Sequence, residues 1–138
     1  MKGEYQHSLD AKGRLFIPAK LREELGGCFV VTKGLDGCLF VYAQDEWEQL
    51  EAKINSLPMS KSRDLQRFFL SSAADVNPDK QGRILLPNTL RRYAKLEKDV
   101  TIIGVSRRAE IWSTQVWEEY NEKITAADVE QAMEELGF

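Results

Sequence analysis

An aspartate stands four residues before an arginine twice in this chain, in Asp10-Ala-Lys-Gly-Arg14 and in Asp79-Lys-Gln-Gly-Arg83. A guanidinium stays charged near neutral pH and offers paired donors that fit a phosphate or the O6 and N7 edge of guanine. Arg14 and Arg83 are therefore the expected base-reading residues. A phosphate would repel Asp10 and Asp79, so these two are expected to orient the turn, accepting its amides and fixing the arginine that follows. Gly13 and Gly82, each just before the arginine, would supply a positive φ that Arg or Lys adopts only at a cost. No nucleophile–base pair, phosphate-cradling glycine loop or metal-spaced cluster accompanies them, which argues against an enzyme. His7, Ser8 and Asp10 lie too close together on one extended strand to converge as a catalytic triad.

The two motifs belong to a longer repeat. Between residues 10–25 and 79–94 the pairs Asp10/Asp79, Gly13/Gly82, Arg14/Arg83, Pro18/Pro87, Leu21/Leu90 and Arg22/Arg91 are kept, and Val41–Trp47 corresponds further on to Ile111–Trp117. Each half spans about 45 residues, near the lower limit for a chain that folds alone, so the halves are expected to share one core. The organisation expected is a first unit over 1–50, linking helices over 51–72, a second unit over 73–120 and an acidic helical tail over 121–138.

A net charge of −3 conceals an uneven distribution, because residues 114–138 carry seven acids against Lys123 alone. The remainder is basic. Lys80, Arg83, Arg91, Arg92, Lys95 and Lys98 face only Asp79 and Glu97, and Arg107-Arg108 follow, a clustering that suits nucleic acid. Lys12, Lys20, Lys80, Arg22, Arg91 and Arg92 are the expected phosphate contacts, adding affinity more than sequence choice. Departures between the copies, Lys12 to Gln81 and Glu23 to Arg92, make the second more basic.

The 138 residues, 43% hydrophobic and 30% charged, have the balance of a globular chain. Apolar runs such as Leu39–Ala43 fall far short of the roughly 18 residues a membrane helix needs, and Met1-Lys2-Gly3-Glu4 opens no signal peptide, so a cytosolic protein with no membrane partner is expected. Cys28 and Cys38 are expected as reduced, buried thiols, since a zinc site with His7 would lack a fourth ligand and close-paired spacing. No cofactor is implied.

Strands are expected at Glu4–Leu9, Arg14–Ile17, Phe29–Lys33 and Leu39–Tyr42, and again at Ala73–Asn77, Arg83–Leu86, Val100–Val105 and Ala109–Trp112. Pro18 and Pro87 open short helices. Asp45–Leu57 and Arg63–Ser72 read as linking helices, the second capped by Ser60 or Ser62. Thr114–Ile124 and Ala126–Leu136 read as tail helices, with Thr125 as cap and Val129, Met133 and Leu136 on one stripe. Trp47 and Trp117 are expected as core anchors, and Phe68-Phe69-Leu70 as the packing face of the linker.

Leu9–Pro18 followed by Leu21-Arg22, together with its duplicate, resembles the MraZ family, over almost the whole chain. That family is similar to the AbrB and SpoVT transition-state regulators. The resemblance implies an α+β, mostly β fold: a swapped-hairpin barrel of two tandem pseudo-symmetric β-turn-β-α-β-β halves, with linking and C-terminal helices. It marks the Asp-x-x-x-Arg pairs as the DNA-binding signature. It further implies a nucleoid-associated repressor of the division and cell-wall gene cluster that includes its own gene, acting on double-stranded DNA as a ring-shaped homo-oligomer. Head-to-tail neighbours in a ring would read direct repeats. The alternative is an oligomeric interaction module of antitoxin type that binds a protein through the same basic face.

Overall fold

Short runs of β-branched and aromatic residues, punctuated by glycine and proline, become eight strands in the computed structural model, which describes all of residues 1–138. The first unit comprises β1 (Glu4–Ser8), β2 (Arg14–Phe16), α1 (Ala19–Leu25), β3 (Phe29–Lys33) and β4 (Leu39–Ala43). Next, α2 (Gln44–Ser56) leads out of the first unit into the linker, where α3 (Met59–Leu65) runs into a π-helical turn at Gln66–Leu70. The second unit repeats the order as β5 (Ala74–Val76), β6 (Arg83–Leu85), α4 (Asn88–Tyr93), β7 (Asp99–Val105) and β8 (Arg108–Ser113). The second unit closes with α5 (Thr114–Glu122), and the tail carries α6 (Ala126–Glu135).

Pairing crosses between the units. The main sheet is six-stranded and antiparallel, in the order β1-β7-β8-β4-β3-β5, so β1 leaves its own unit for β7 and β5 leaves its own for β3. The strands β2 and β6 form a separate antiparallel ribbon with Arg14 opposite Leu85, Leu15 opposite Ile84 and Phe16 opposite Arg83. The fold is α+β. The expected closed barrel is not formed: the sheet is open, with β1 and β5 as edges, and the ribbon stands apart from it. Each ribbon strand is three residues long and is followed two residues later by Pro18 or Pro87, which has no amide to continue a ladder. Between β1 and β2 the ladder shrinks to an isolated bridge of Leu9 with Leu15.

One cluster of 17 buried residues draws on both units, including Leu15, Ile17, Leu21, Leu25 and Phe29 from the first and Ile84, Leu86, Leu90, Ala94 and Val100 from the second. A second cluster centres on Phe40, Ile103 and Trp112. Trp112 is packed by Trp117 and Tyr120, with ring centroids at 5.2 and 5.3 Å. Both repeated tryptophans serve packing: Trp47 is buried, and the half-buried Trp117 donates its Nε1–H to Glu4 Oε1 at 2.7 Å. The linker packs on the sheet through Phe69, stacked on Phe40, while Thr32 Oγ1 donates to the Phe69 carbonyl at 2.6 Å.

Several local expectations change. The second linking helix begins at Met59, with Ser60 and Ser62 inside it, because the Pro58 carbonyl at the N-cap accepts the Lys61 and Ser62 amides and starts the helix there. Cys38 is buried, and burial pushes its thiol up so that it stays protonated. Cys28 is exposed, because it sits in the Gly26-Gly27-Cys28 bend between α1 and β3, outside both of the elements that face the core. Thr125 does cap α6, accepting the Asp128 amide at 3.1 Å. Every residue from 121 to 138 is exposed. No helix is long and apolar enough to cross a membrane, and no group of His, Cys, Asp or Glu is placed to hold a metal ion.

Candidate nucleic-acid interface

Both Asp-x-x-x-Arg turns are built alike. The Gly13 amide donates to the Asp10 carbonyl at 3.0 Å and the Asp10 amide to the Arg14 carbonyl at 3.0 Å; Gly82 with Asp79 and Asp79 with Arg83 repeat this at 2.9 and 2.8 Å. Gly13 and Gly82 take φ of +83° and +80°, the left-handed region where a side chain would be strained. Asp10 Oδ1 accepts the amides of Lys12 at 3.0 Å and Arg14 at 2.8 Å, and its Oδ2 accepts Arg14 Nε–H at 2.7 Å. Asp79 does the same for Gln81, Arg83 and Arg83 Nε, each at 2.9 Å. The expected orienting role of the aspartates thus has a geometric basis. Each carboxylate spends both oxygens on its own turn, and each arginine is held through Nε, with its terminal guanidinium nitrogens left unbonded.

The Arg14 amide holds the Asp10 carboxyl below its ordinary value; partial desolvation opposes this, and the Arg14 guanidinium and Lys12 amide add to it. The Arg83 amide acts likewise on Asp79. Because the folded value is depressed, the stabilisation is fully present above the ordinary aspartate range and is lost only as pH falls through the lowered value. Both turns therefore stay charged and closed around neutrality.

Strand register then brings the two arginines together. Leu15 and Ile84 face the core, so alternation turns Arg14, Phe16, Arg83 and Leu85 to the other face of the ribbon. Arg14 lies diagonally across from Arg83, a relation that separates side-chain roots by roughly 7–8 Å. Lys12, Lys20, Lys80 and Arg92 are exposed on the neighbouring turns and helices. Arg22 and Arg91 are half-buried, with their Nε–H groups donated to the Ile17 carbonyl at 2.8 Å and the Leu86 carbonyl at 3.1 Å. Arg108, grouped by sequence with the basic cluster, is instead occupied by Glu110, to which its Nε and Nη2 donate at 2.9 and 2.8 Å.

Leu85 was not foreseen as part of this face. It is 61% exposed beside Arg14, whereas its counterpart Phe16 is covered by His7, at a ring separation of 5.0 Å, and by Arg22. Its apolar side chain on an outward strand position was the available signal.

These features define a duplicated module that presents two carboxylate-fixed arginines from one ribbon. The MraZ family model, described as an antitoxin-like MraZ protein, matches twice, over residues 1–68 and 69–136. Proteins named transcriptional regulator MraZ are similar along nearly the whole length: one from a Thermoanaerobacter species is 54% identical, covering 100% of this chain and 99% of the relative. Those from Caldanaerobacter subterraneus and Heliobacterium modesticaldum are 56% and 57% identical, covering 99% and 97% of this chain and 96% and 94% of the relatives. The chain belongs to the MraZ family of transcriptional regulators, which are not enzymes.

Proposed function

We propose that the protein binds promoter DNA sequence-specifically, represses the division and cell-wall gene cluster that includes its own gene, and works on the nucleoid as a ring-shaped homo-oligomer. The observation that carries this is the pair of aspartate-fixed arginines on one outward ribbon face. In this reading Arg14 and Arg83 read base edges, while Lys12, Lys20, Lys80 and Arg92 hold phosphates. The crossed pairing of β1 with β7, β5 with β3 and β2 with β6 supports the swapped-hairpin relationship to the AbrB and SpoVT regulators. The division into units 1–50 and 73–120, linker 51–72 and tail 121–138 follows the same reading. The antitoxin-like wording of the family description leaves protein binding as the competing outcome of the DNA tests.

Ring assembly draws support from α6, whose Val129, Met133 and Leu136 are exposed on a helix that buries nothing in its own chain. Ring neighbours meet head to tail, so successive subunits present their turns in the same direction and should read direct repeats. To meet one face of the duplex, the repeats should recur about 10 bp apart. A gel-shift series over spacer lengths should show tight binding at one helical turn and its loss when about half a turn is inserted. Equal affinity at every spacing, or preference for inverted elements, contradicts the proposal.

The orienting role of the carboxylates has its own test. Asp10→Asn and Asp79→Asn each remove a negative charge, which by simple electrostatics strengthens binding to any DNA. An asparagine cannot accept the arginine Nε–H with a charged oxygen, so promoter affinity should fall while affinity for mixed-sequence DNA rises. Fluorescence anisotropy on both DNAs reads the difference, and a parallel rise on both would show that the carboxylates do not aim the arginines.

A further inference from the structure

Arg22 and Arg91 occupy corresponding positions on α1 and α4, and each reaches into the other unit. A Cβ on Gly82 would lie 2.8 Å from the Arg22 Cζ, and one on Gly13 would lie 2.7 Å from the Arg91 Cζ. Each guanidinium therefore rests directly against the glycine of the opposite turn. Both turn glycines are buried, and the positive φ is only one of the reasons a side chain is excluded there.

The backbone follows the same crossing. The Ile17 amide donates to the Gly82 carbonyl at 2.9 Å, and the Leu86 amide donates to the Gly13 carbonyl at 3.0 Å. In the helices that follow, the amides of Leu21 and Arg22 go to the Pro18 carbonyl and those of Leu90 and Arg91 to the Pro87 carbonyl. The preceding carbonyls of Ile17 and Leu86 are thus left for Arg22 Nε and Arg91 Nε. Arg22 also lies over the Phe16 ring, 5.4 Å from its centroid. Both guanidinia are thus held at Nε by a carbonyl of their own unit and lie against the glycine of the other, and that of Arg22 is packed on an aromatic face as well.

We propose that Arg22 and Arg91 are positioning residues that latch the two DNA-contacting turns crosswise: Arg22 of the first unit sets the presentation of Arg83, and Arg91 of the second sets that of Arg14. Neither turn is then aimed by its own unit alone, and the two arginines are delivered as a matched pair. The role in DNA recognition rests on the function proposed above; the latch itself is a property of the free protein. It differs from the phosphate-contact role that charge alone assigns to these two residues.

Lysine separates the two roles, since Arg22→Lys and Arg91→Lys keep the positive charge and stem but lose the planar fork and the Nε donor. Nitrogen–proton correlation spectra of the full-length protein observe the Arg14 and Arg83 Nε–H groups, assigned through their loss in Arg14→Lys and Arg83→Lys. In Arg22→Lys the Arg83 signal should move and the Arg14 signal stay; in Arg91→Lys the pattern should reverse. Each variant should also lose about fivefold or more in affinity for the DNA upstream of its own gene, the low end of what a misplaced bidentate arginine costs. Movement within the same unit, movement of neither signal, or promoter affinity kept within about twofold overturns the latch. Lost affinity without crosswise movement also overturns it, because general destabilisation gives that result. Should the parent protein bind no promoter DNA, the proposed function fails and the spectra alone decide, crosswise movement upholding the latch and its absence overturning it.

Discussion

Replacing Arg14 and Arg83 together by alanine is expected to abolish discrimination between promoter and mixed-sequence DNA while the protein stays folded. Each arginine that engages a base in bidentate fashion contributes roughly 1–3 kcal/mol of discrimination, and the pair stands on one ribbon face. Folding should persist, because both side chains are half-exposed and the buried side of the ribbon is untouched. Anisotropy with the two DNAs, alongside thermal unfolding, separates the effects. A double variant that keeps the promoter preference of the parent would remove both arginines from recognition.

The second large effect concerns the ribbon's inner side. Leu15 and Ile84 are fully buried, face each other in register and come from different units, so each belongs to the core that joins the halves. Truncation of either to alanine should cost about 2–5 kcal/mol, through lost transfer energy and the cavity left behind. That is a large share of the roughly 5–15 kcal/mol that holds a domain folded. Because the two side chains are register partners, the double variant should depart from the sum of the singles by about 0.5 kcal/mol or more. Urea unfolding measures all three, and a strictly additive cycle with small costs would mean that the halves do not depend on each other through this pair.

What the sequence made legible was local. The Asp10–Arg14 and Asp79–Arg83 turns could be read because a carboxylate, a glycine and an arginine at fixed spacing specify their own hydrogen bonds, and the observed φ of Gly13 and Gly82 agrees. Strand positions followed from β-branched runs, and repetition gave the second unit its order. Which strand pairs with which was inferred only through resemblance, since the partnership of β1 with β7 leaves no periodicity along the chain. The contact of Arg22 with Gly82 was hidden for the same reason: the two are distant in sequence, and the charge of Arg22, which suggests a phosphate contact, gives no sign of a partner in the other unit. Cys28 shows the limit of residue type as a guide, because a thiol suits the core, yet the bend between α1 and β3 leaves this one outside it. The open sheet likewise turned on ribbon length, which a proline two residues beyond the strand ends but does not announce.

The most direct test is a footprint of the purified protein on the DNA upstream of its own gene. The expected result is protection of direct repeats spaced about one helical turn, or 10 bp, apart, lost when Arg14 and Arg83 are both replaced by alanine. No protection at concentrations that saturate mixed-sequence binding, or the same protection from the double variant, would contradict the claim that this ribbon reads DNA.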